Sequence, residues 1–203
     1  PPVETRIQPA RFSGDVARIH ARRLAECERL LADRRRAMAS EDPDLAKALG
    51  NRAEIEAFLR DDRFEEADKR ALLSTLTDKD FADADHEVLA DALAGALPFR
   101  GAYPEEIWRE SVLCPRVALE PLKPHRRRMR SLPAAKGDAL LRGRALWQTL
   151  KDRVTLCAPE PPAFAPGDVL ESGVGSAAAL DALFVAAARA QGLAARLNPA
   201  TGE

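Results

Sequence analysis

The sequence predicts a mostly α-helical protein with little strand. Three observations carry that expectation. Ala, Leu and Arg dominate the 203 residues while aromatics make up only 5%, and those three residue types give up little on entering a helix. Apolar residues recur at three- and four-residue spacing along most of the chain, the signature of one buried helix face. Before residue 155 no run alternates apolar and polar residues with the period of a strand. A hydrophobic content of 46% with 31% charged residues is ordinary for a chain that buries a core.

Taken in order, Pro1–Phe12 is irregular, with prolines at 1, 2 and 9. A helix is expected from Ser13 or Asp15, either an acceptable N-cap, to about Met38. Val16, Ile19, Leu24, Cys27, Leu30 and Leu31 form its apolar face, while Arg22, Arg23 and Arg34–Arg36 lie on the other. No aromatics are interleaved with that charge, so it reads as a solvated face and not as a nucleic-acid footprint. Ser40-Glu41-Asp42-Pro43 breaks this helix. Short helices are expected at Pro43–Leu49, at Arg52–Leu59 capped by Asn51, at Glu65–Leu76 and at Asp83–Leu97, where Pro98 ends the pattern. Pro104-Glu105-Glu106-Ile107-Trp108 opens another, placing acids at the positive end of the helix dipole, and Cys114-Pro115 stops it. His125–Arg130 is a basic stretch entering a short helix, read as an exposed cluster. The Asp85–His86 pair is read as solvent-facing at a helix start. Asp138–Val154 is a longer helix, with Trp147 and the earlier Trp108 as core anchors. The proline-rich Cys157–Gly167 is a linker or surface loop. The domains expected are 1–40 as an N-terminal extension, 41–133 as a helical array and 134–203 as the start of a further core.

A net charge of −1 gives no overall attraction to nucleic acid or to an acidic membrane. No stretch reaches the roughly 18 apolar residues of a membrane span; the longest run, Ala177–Ala188, is interrupted by Asp181. Cys27, Cys114 and Cys157 have no CxxC spacing, so neither a zinc site nor a disulfide framework is indicated. One disulfide plus a thiol, or three thiols, both remain open, and the compartment with them. No motif for a metal or organic cofactor is present, so none is expected.

The chemically informative stretch is Glu171-Ser-Gly-Val-Gly-Ser-Ala177, running into a helix that ends at Gln191-Gly192. A Gly-rich turn feeding a helix N-terminus gathers backbone N–H groups and the positive dipole end at one point. That suits a phosphate or an activated thiolate. No Lys follows and the spacing fits no nucleotide fingerprint, and Gly173 and Gly175 can equally do no more than shape a turn.

From Gly173-Val-Gly-Ser-Ala177 through Arg189-Ala-Gln-Gly192 to Arg196, the chain resembles the core motif of transglutaminase-like proteins. In those a Gly-rich turn presents a nucleophilic Cys, whose helix ends in Arg-Ala-x-Gly. Two further segments resemble a secreted bacterial branch of that superfamily. Gly50-Asn51-Arg52 through Leu59 is one; Tyr103-Pro-Glu-Glu-Ile-Trp108 through Cys114-Pro115-Arg116, Glu120-Pro121-Leu122 and Arg126 is the other. The resemblance spans about residues 49–203. It implies an α+β, papain-like fold, a secreted or periplasmic location, and a Cys–His–Asp arrangement for acyl transfer or amide hydrolysis. Counting back from Arg189, the Cys position falls on Ala177, whose methyl group cannot attack a carbonyl. Ser176 lies one position early and is not expected to replace it. The family's His and Asp follow its Cys, whereas His20, His86 and His125 all precede residue 177. Those partners would lie past Glu203, and Asn198-Pro199-Ala200-Thr201-Gly202-Glu203 reads as a turn entering a further element. The implied site therefore comprises Ala177 at the nucleophile's seat, Gly173, Gly175 and Ser176 at the helix start, and Arg116, Glu120 and Arg126 as an ion-pair network shaping the cleft.

Two functional readings follow. One is an inactive transglutaminase-like protein, with Ala177 either an engineered replacement or the natural residue of a pseudoenzyme binding peptide, protein or glycan without turnover. The other is a non-catalytic helical interaction or scaffold module using the Val16–Met38 helix. Oligomeric state is not encoded in any motif.

Overall fold

A computed structural model describes residues 14–39, 42–157 and 164–198. The chain divides into two compact units, Pro1–Ala46 and Lys47–Glu203. In the first, α1 (Gly14–Ala39) is a single long helix. Its apolar stripe is present as the spacing predicts, yet Val16, Ile19, Leu24, Leu30 and Leu31 are all about half exposed to solvent. The proposed cap Ser13 lies outside the described residues. Helix α2 (Pro43–Lys47) is brief, begins on proline and buries no residue.

The second unit starts with a 3-10 turn at Leu49–Asn51 and α3 (Arg52–Leu59). Asn51 stands at the N-cap of α3, but its side chain does not cap it: Nδ2 donates to the carbonyls of Phe81 and Ala84, 30 or more residues away. Helices α4 (Glu66–Leu73), α5 (Asp78–Asp83) and α6 (His86–Ala96) follow. The helix expected at Asp83–Leu97 begins later, at His86, because Ala84 and Asp85 are extended, and Asp83 instead ends the separate helix α5. A capping box explains the start of α5. Thr77 Oγ1 accepts from the Asp80 amide, and Asp80 Oδ2 accepts from the Thr77 amide at 2.9 Å. Ile55, Phe58, Leu72, Leu73, Phe81, Leu89 and Leu93 are almost fully buried in this half.

Helix α7 (Glu105–Trp108) opens after Pro104 and runs into a wide π-type turn, Arg109–Leu113, closed by the Cys114 amide on the Arg109 carbonyl. Trp108 is fully buried, its Nε1 donating to the Ala96 carbonyl at 3.2 Å. After the Cys114–His125 loop come α8 (Arg126–Arg130) and α9 (Ala139–Lys151), whose Asp138 side chain caps Leu141. Two short strands, β1 (Thr155–Leu156) and β2 (Val174–Gly175), pair in parallel around α10 (Pro166–Ser172). Among the described residues they are the only strands, so the protein is mostly helical with little strand. The long helix α11 (Ala177–Ala190) lies at the centre of the C-terminal half. Its Leu180, Leu183, Ala186, Ala187 and Ala190 pack with Met129 of α8, Leu146 and Leu150 of α9, Val154 just before β1, and Val169 of α10. Because α11 is packed against α8 as well as α9 and α10, residues on both sides of position 133 share one core.

No described helix is long and apolar enough to cross a membrane. Cys27, Cys114 and Cys157 are all free thiols.

Candidate functional site

At the start of α11 each residue has a local reason to be where it is. Gly173 takes the left-handed conformation (φ 68°) that ends α10, a position glycine occupies without steric cost. Its carbonyl accepts from Thr155 N at 2.8 Å, and the Gly175 carbonyl accepts from Cys157 N at 3.1 Å, which docks this turn onto β1. Gly175 has no positive φ; it is glycine for space, since a Cβ there would lie 3.0 Å from Val169 Cγ1. Ser176 is the N-cap: buried, with Oγ accepting from Ala179 N at 3.1 Å. Its hydroxyl therefore serves the helix. Ala177 is the first helical residue and is exposed. The N–H groups of Ala177 and Ala178, at the first two helical positions, have no intrahelical acceptor. Any group replacing the Ala177 methyl would stand in solvent at the positive end of a 14-residue helix.

Arg116, Glu120 and Arg126 are brought together, but at the other end of α11. Their common neighbour is Arg189 in its last turn, 12 positions and roughly 18 Å along the axis from Ala177. Arg189 is buried and donates to four carbonyls: Nε to Ala195 at 2.8 Å, Nη1 to Cys114 at 2.9 Å and Arg116 at 2.7 Å, and Nη2 to Glu110 at 3.5 Å. Arg126, 1% exposed, donates from Nη2 to the carbonyls of Leu113 and Cys114 at 3.0 and 3.1 Å. Its Nε and Nη1 are buried without a partner. Arg116 pairs with buried Asp80 and donates to the Glu120 carbonyl. The Glu120 carboxylate accepts from the amides of Val117 and Ala118, each at 2.7 Å. The ion pair in this network is thus Arg116–Asp80, and Glu120 instead curls its own loop. Asp80 is held in turn by the α5 capping box.

The basic stretch read as an exposed cluster is split by the structure. His125 and Arg126 are buried, whereas Arg127, Arg128 and Arg130 are exposed. Asp91 is the reason: its carboxylate accepts the amides of His125 at 2.8 Å, Arg126 at 2.7 Å and Arg127 at 3.2 Å, fastening the start of α8 to α6. Burial, and then the neighbouring Arg126 charge, holds the His125 imidazole down at about 4. Burial and Arg189 push Arg126 down to about 9; burial likewise lowers Arg189. Two cations desolvated side by side, neutralised mainly by carbonyl dipoles, make a rigid and costly joint.

Of the Asp85–His86 pair, Asp85 is exposed at the start of α6 as expected, whereas His86 is half-buried and paired. Its Nε2 lies 2.9 Å from Asp61 Oδ2, and its ring stands 6.4 Å from that of Phe58. Arg63 and His86 together hold the Asp61 carboxyl well below the ordinary carboxylate range. Asp61, Asp80 and Asp91 carry no sequence signal of these roles, because each lies 25 or more residues from the His86, Arg116 or His125 that it holds. Arg189 was legible only as part of a motif. One signal did exist: Arg189 is the lone cation in the run Ala177–Ala190, and a charge inside so apolar a helix needs buried acceptors.

Comparison with known protein families, with curated proteins and with solved structures finds no match in any of the three. Among the described residues, no group of three or more His, Cys, Asp and Glu side chains is arranged to hold a metal ion.

Proposed function

We propose that this chain is a transglutaminase-like protein of the thiol acyl-transfer lineage in which Ala177 stands at the nucleophile's seat. As given, it binds an amide-bearing peptide, a protein or a glycan without turning it over. The observation that carries the reading is convergence. Gly173–Arg196 forms one turn–helix–loop unit, and its Arg189 is clamped onto Cys114 and Arg116 of the second resembling segment. Residue 177 is exposed on the first turn of that helix, where a thiol would be both accessible and activated by the dipole. A secreted or periplasmic location belongs to the same proposal. Whether Ala177 is engineered or natural does not alter it.

The test is Ala177→Cys in a background carrying Cys27→Ser, Cys114→Ser and Cys157→Ser. A helix N-terminus that lowers the thiol's pKa by about one unit from about 8.5 raises its thiolate fraction at pH 7 roughly eightfold. The lower intrinsic nucleophilicity returns part of this, leaving about a threefold faster reaction with iodoacetamide than an ordinary exposed thiol shows. The reference is Cys27, exposed on α1, read in a second variant that keeps Cys27 and Ala177 and carries only Cys114→Ser and Cys157→Ser. Equal rates at the two positions would overturn the activated-seat reading.

A helical interaction module is the second reading, favoured by the exposed apolar stripe of α1. Leu24→Glu with Leu31→Glu should then abolish partner capture while leaving the thermal unfolding of Lys47–Glu203 unchanged. Unimpaired capture by the double variant would remove this reading.

A further inference from the structure

An apolar groove runs between α9 and α11 along the flank of α11, its larger lobe toward the C-terminal end of that helix. Its larger lobe, about 450 Å³, is formed by Leu140, Gly143 and Trp147 of α9 against Phe184 and Ala188 of α11, with Leu193 closing one end. A second lobe of about 400 Å³ continues past the same two rings to Val185 and Leu197. Trp147 and Phe184 meet edge-to-face at 5.3 Å and form the ridge between the lobes. Tyr103 steadies the far wall: its hydroxyl donates to the Gly192 carbonyl at 2.9 Å and accepts from Ala194 N at 3.3 Å. Trp147, expected as a core anchor, is only half-buried, and its accessible side faces this groove.

Two further features say what the groove takes. Gly143 sits in the middle of α9, where glycine costs up to about 1 kcal/mol relative to alanine. A Cβ there would meet nothing within 4 Å. No packing demand explains the glycine, and any side chain would project into open space at the groove. The α9 side of the rim is positive, while Asp181 and Arg196 lie beyond the ridge in the second lobe. Arg144 lines the larger lobe and makes no ion pair or hydrogen bond with a described residue. Lys151, one turn beyond Trp147, holds its Nζ 6.0 Å from that ring without a carboxylate partner among the described residues. An apolar trough of this volume is the size of a small-molecule site, and the unpaired cations at its α9 wall complement an anionic head.

The geometry points to a binding site for an amphiphilic carboxylate: a chain of about ten carbons laid along the Trp147–Phe184 ridge, its carboxylate on Arg144. The ridge supplies dispersion contact and the removal of apolar surface from water. Arg144 supplies a charge-assisted, two-pronged contact that a neutral head cannot replace. This site is independent of the role of residue 177, and its test reads binding alone.

Sodium decanoate and decanol are titrated into the full chain below the micelle-forming range, following Trp147 fluorescence and heat. Trp108 is fully buried and away from the groove. Decanoate is expected to bind saturably at one site with Kd on the order of 0.1 mM, about fivefold tighter than decanol. Arg144→Gln should equalise the two ligands. Arg144→Glu, a surface change that leaves the fold intact, should weaken decanoate at least about tenfold without weakening decanol. Gly143→Leu should abolish both by filling the trough, whereas Gly143→Ala should retain binding and raise the melting temperature. Decanol binding as tightly as decanoate, undiminished binding to Gly143→Leu that melts like the parent, or saturable binding only of an acidic apolar peptide would each overturn the assignment.

Discussion

Acidification should destabilise the protein through His125 before it touches any paired carboxylate. The imidazole is 8% exposed, with Nδ1 2.9 Å from the Lys123 carbonyl, to which it donates. Arg126 and Arg189 face it with positive charge, and Asp91 opposes them more weakly than burial acts. Glu87, Arg127 and Arg128 line the same surface recess. In the unfolded chain the group titrates near 6.5 and in the folded chain at about 4. Between those values the unfolded state binds the extra proton, so stability is full above pH 6.5 and falls as pH drops toward 4. At about 1.4 kcal/mol per pH unit the loss approaches about 3 kcal/mol, a large share of the roughly 5–15 kcal/mol typical of a domain. For a chain of this size that corresponds to roughly 6–12 °C in melting temperature. His125→Asn keeps an N–H for the Lys123 carbonyl but does not titrate. Urea unfolding at pH 7, 6, 5 and 4 should therefore show a steeper decline for the parent than for the variant, the difference opening between pH 6.5 and 4. Asp61 acts in the same sense but at lower pH: its lowered pKa contributes stability that is present above about 3.8 and lost only below it, outside this window. Parallel curves for parent and variant would refute the argument.

Removing either buried arginine should have unequal effects, both read by chemical denaturation. Arg189→Met leaves the Ala195 carbonyl without a donor and the Arg116 carbonyl with only the weak Cys114 thiol, and should cost about 3 kcal/mol. Arg126→Met orphans chiefly the Leu113 carbonyl, since Cys114 keeps its bond from Arg189, and it also relieves a desolvated cation with two unpaired nitrogens; its net change should stay within about 1 kcal/mol. Gly192→Ala should be severe, at least about 3 kcal/mol, because the backbone is left-handed (φ 75°) and the new Cβ would overlap the Phe99 ring. Failure of soluble expression, or a large drop in the denaturation midpoint, is the expected result.

Much of the helical architecture was legible in the chain itself. Proline and acid at the start of α7, the Cys114-Pro115 stop and the Asp138 cap each act within a turn or two, so their chemistry is visible locally. The errors share one physical origin. Neighbours in sequence suggest a cap for Asn51 and solvent for His86 and His125, yet each is held by a group far along the chain: the Phe81 and Ala84 carbonyls, Asp61 and Asp91. The apolar stripe of α1 was legible as a stripe, but periodicity does not say whether a partner covers it.

At the start of α11 the sequence alone determined the glycine turn, the helix start and the methyl group at 177, because a glycine-rich turn is a demand of the local backbone, whereas the Ser176 cap is seen only in the structure. Only the tertiary structure decided that Arg116, Glu120 and Arg126 serve the opposite end of that helix. It also decided that Gly143 opens onto an unfilled trough and that His125 is buried. Burial and the pairing of distant polar groups depend on which surfaces meet, and no run of consecutive residues records that.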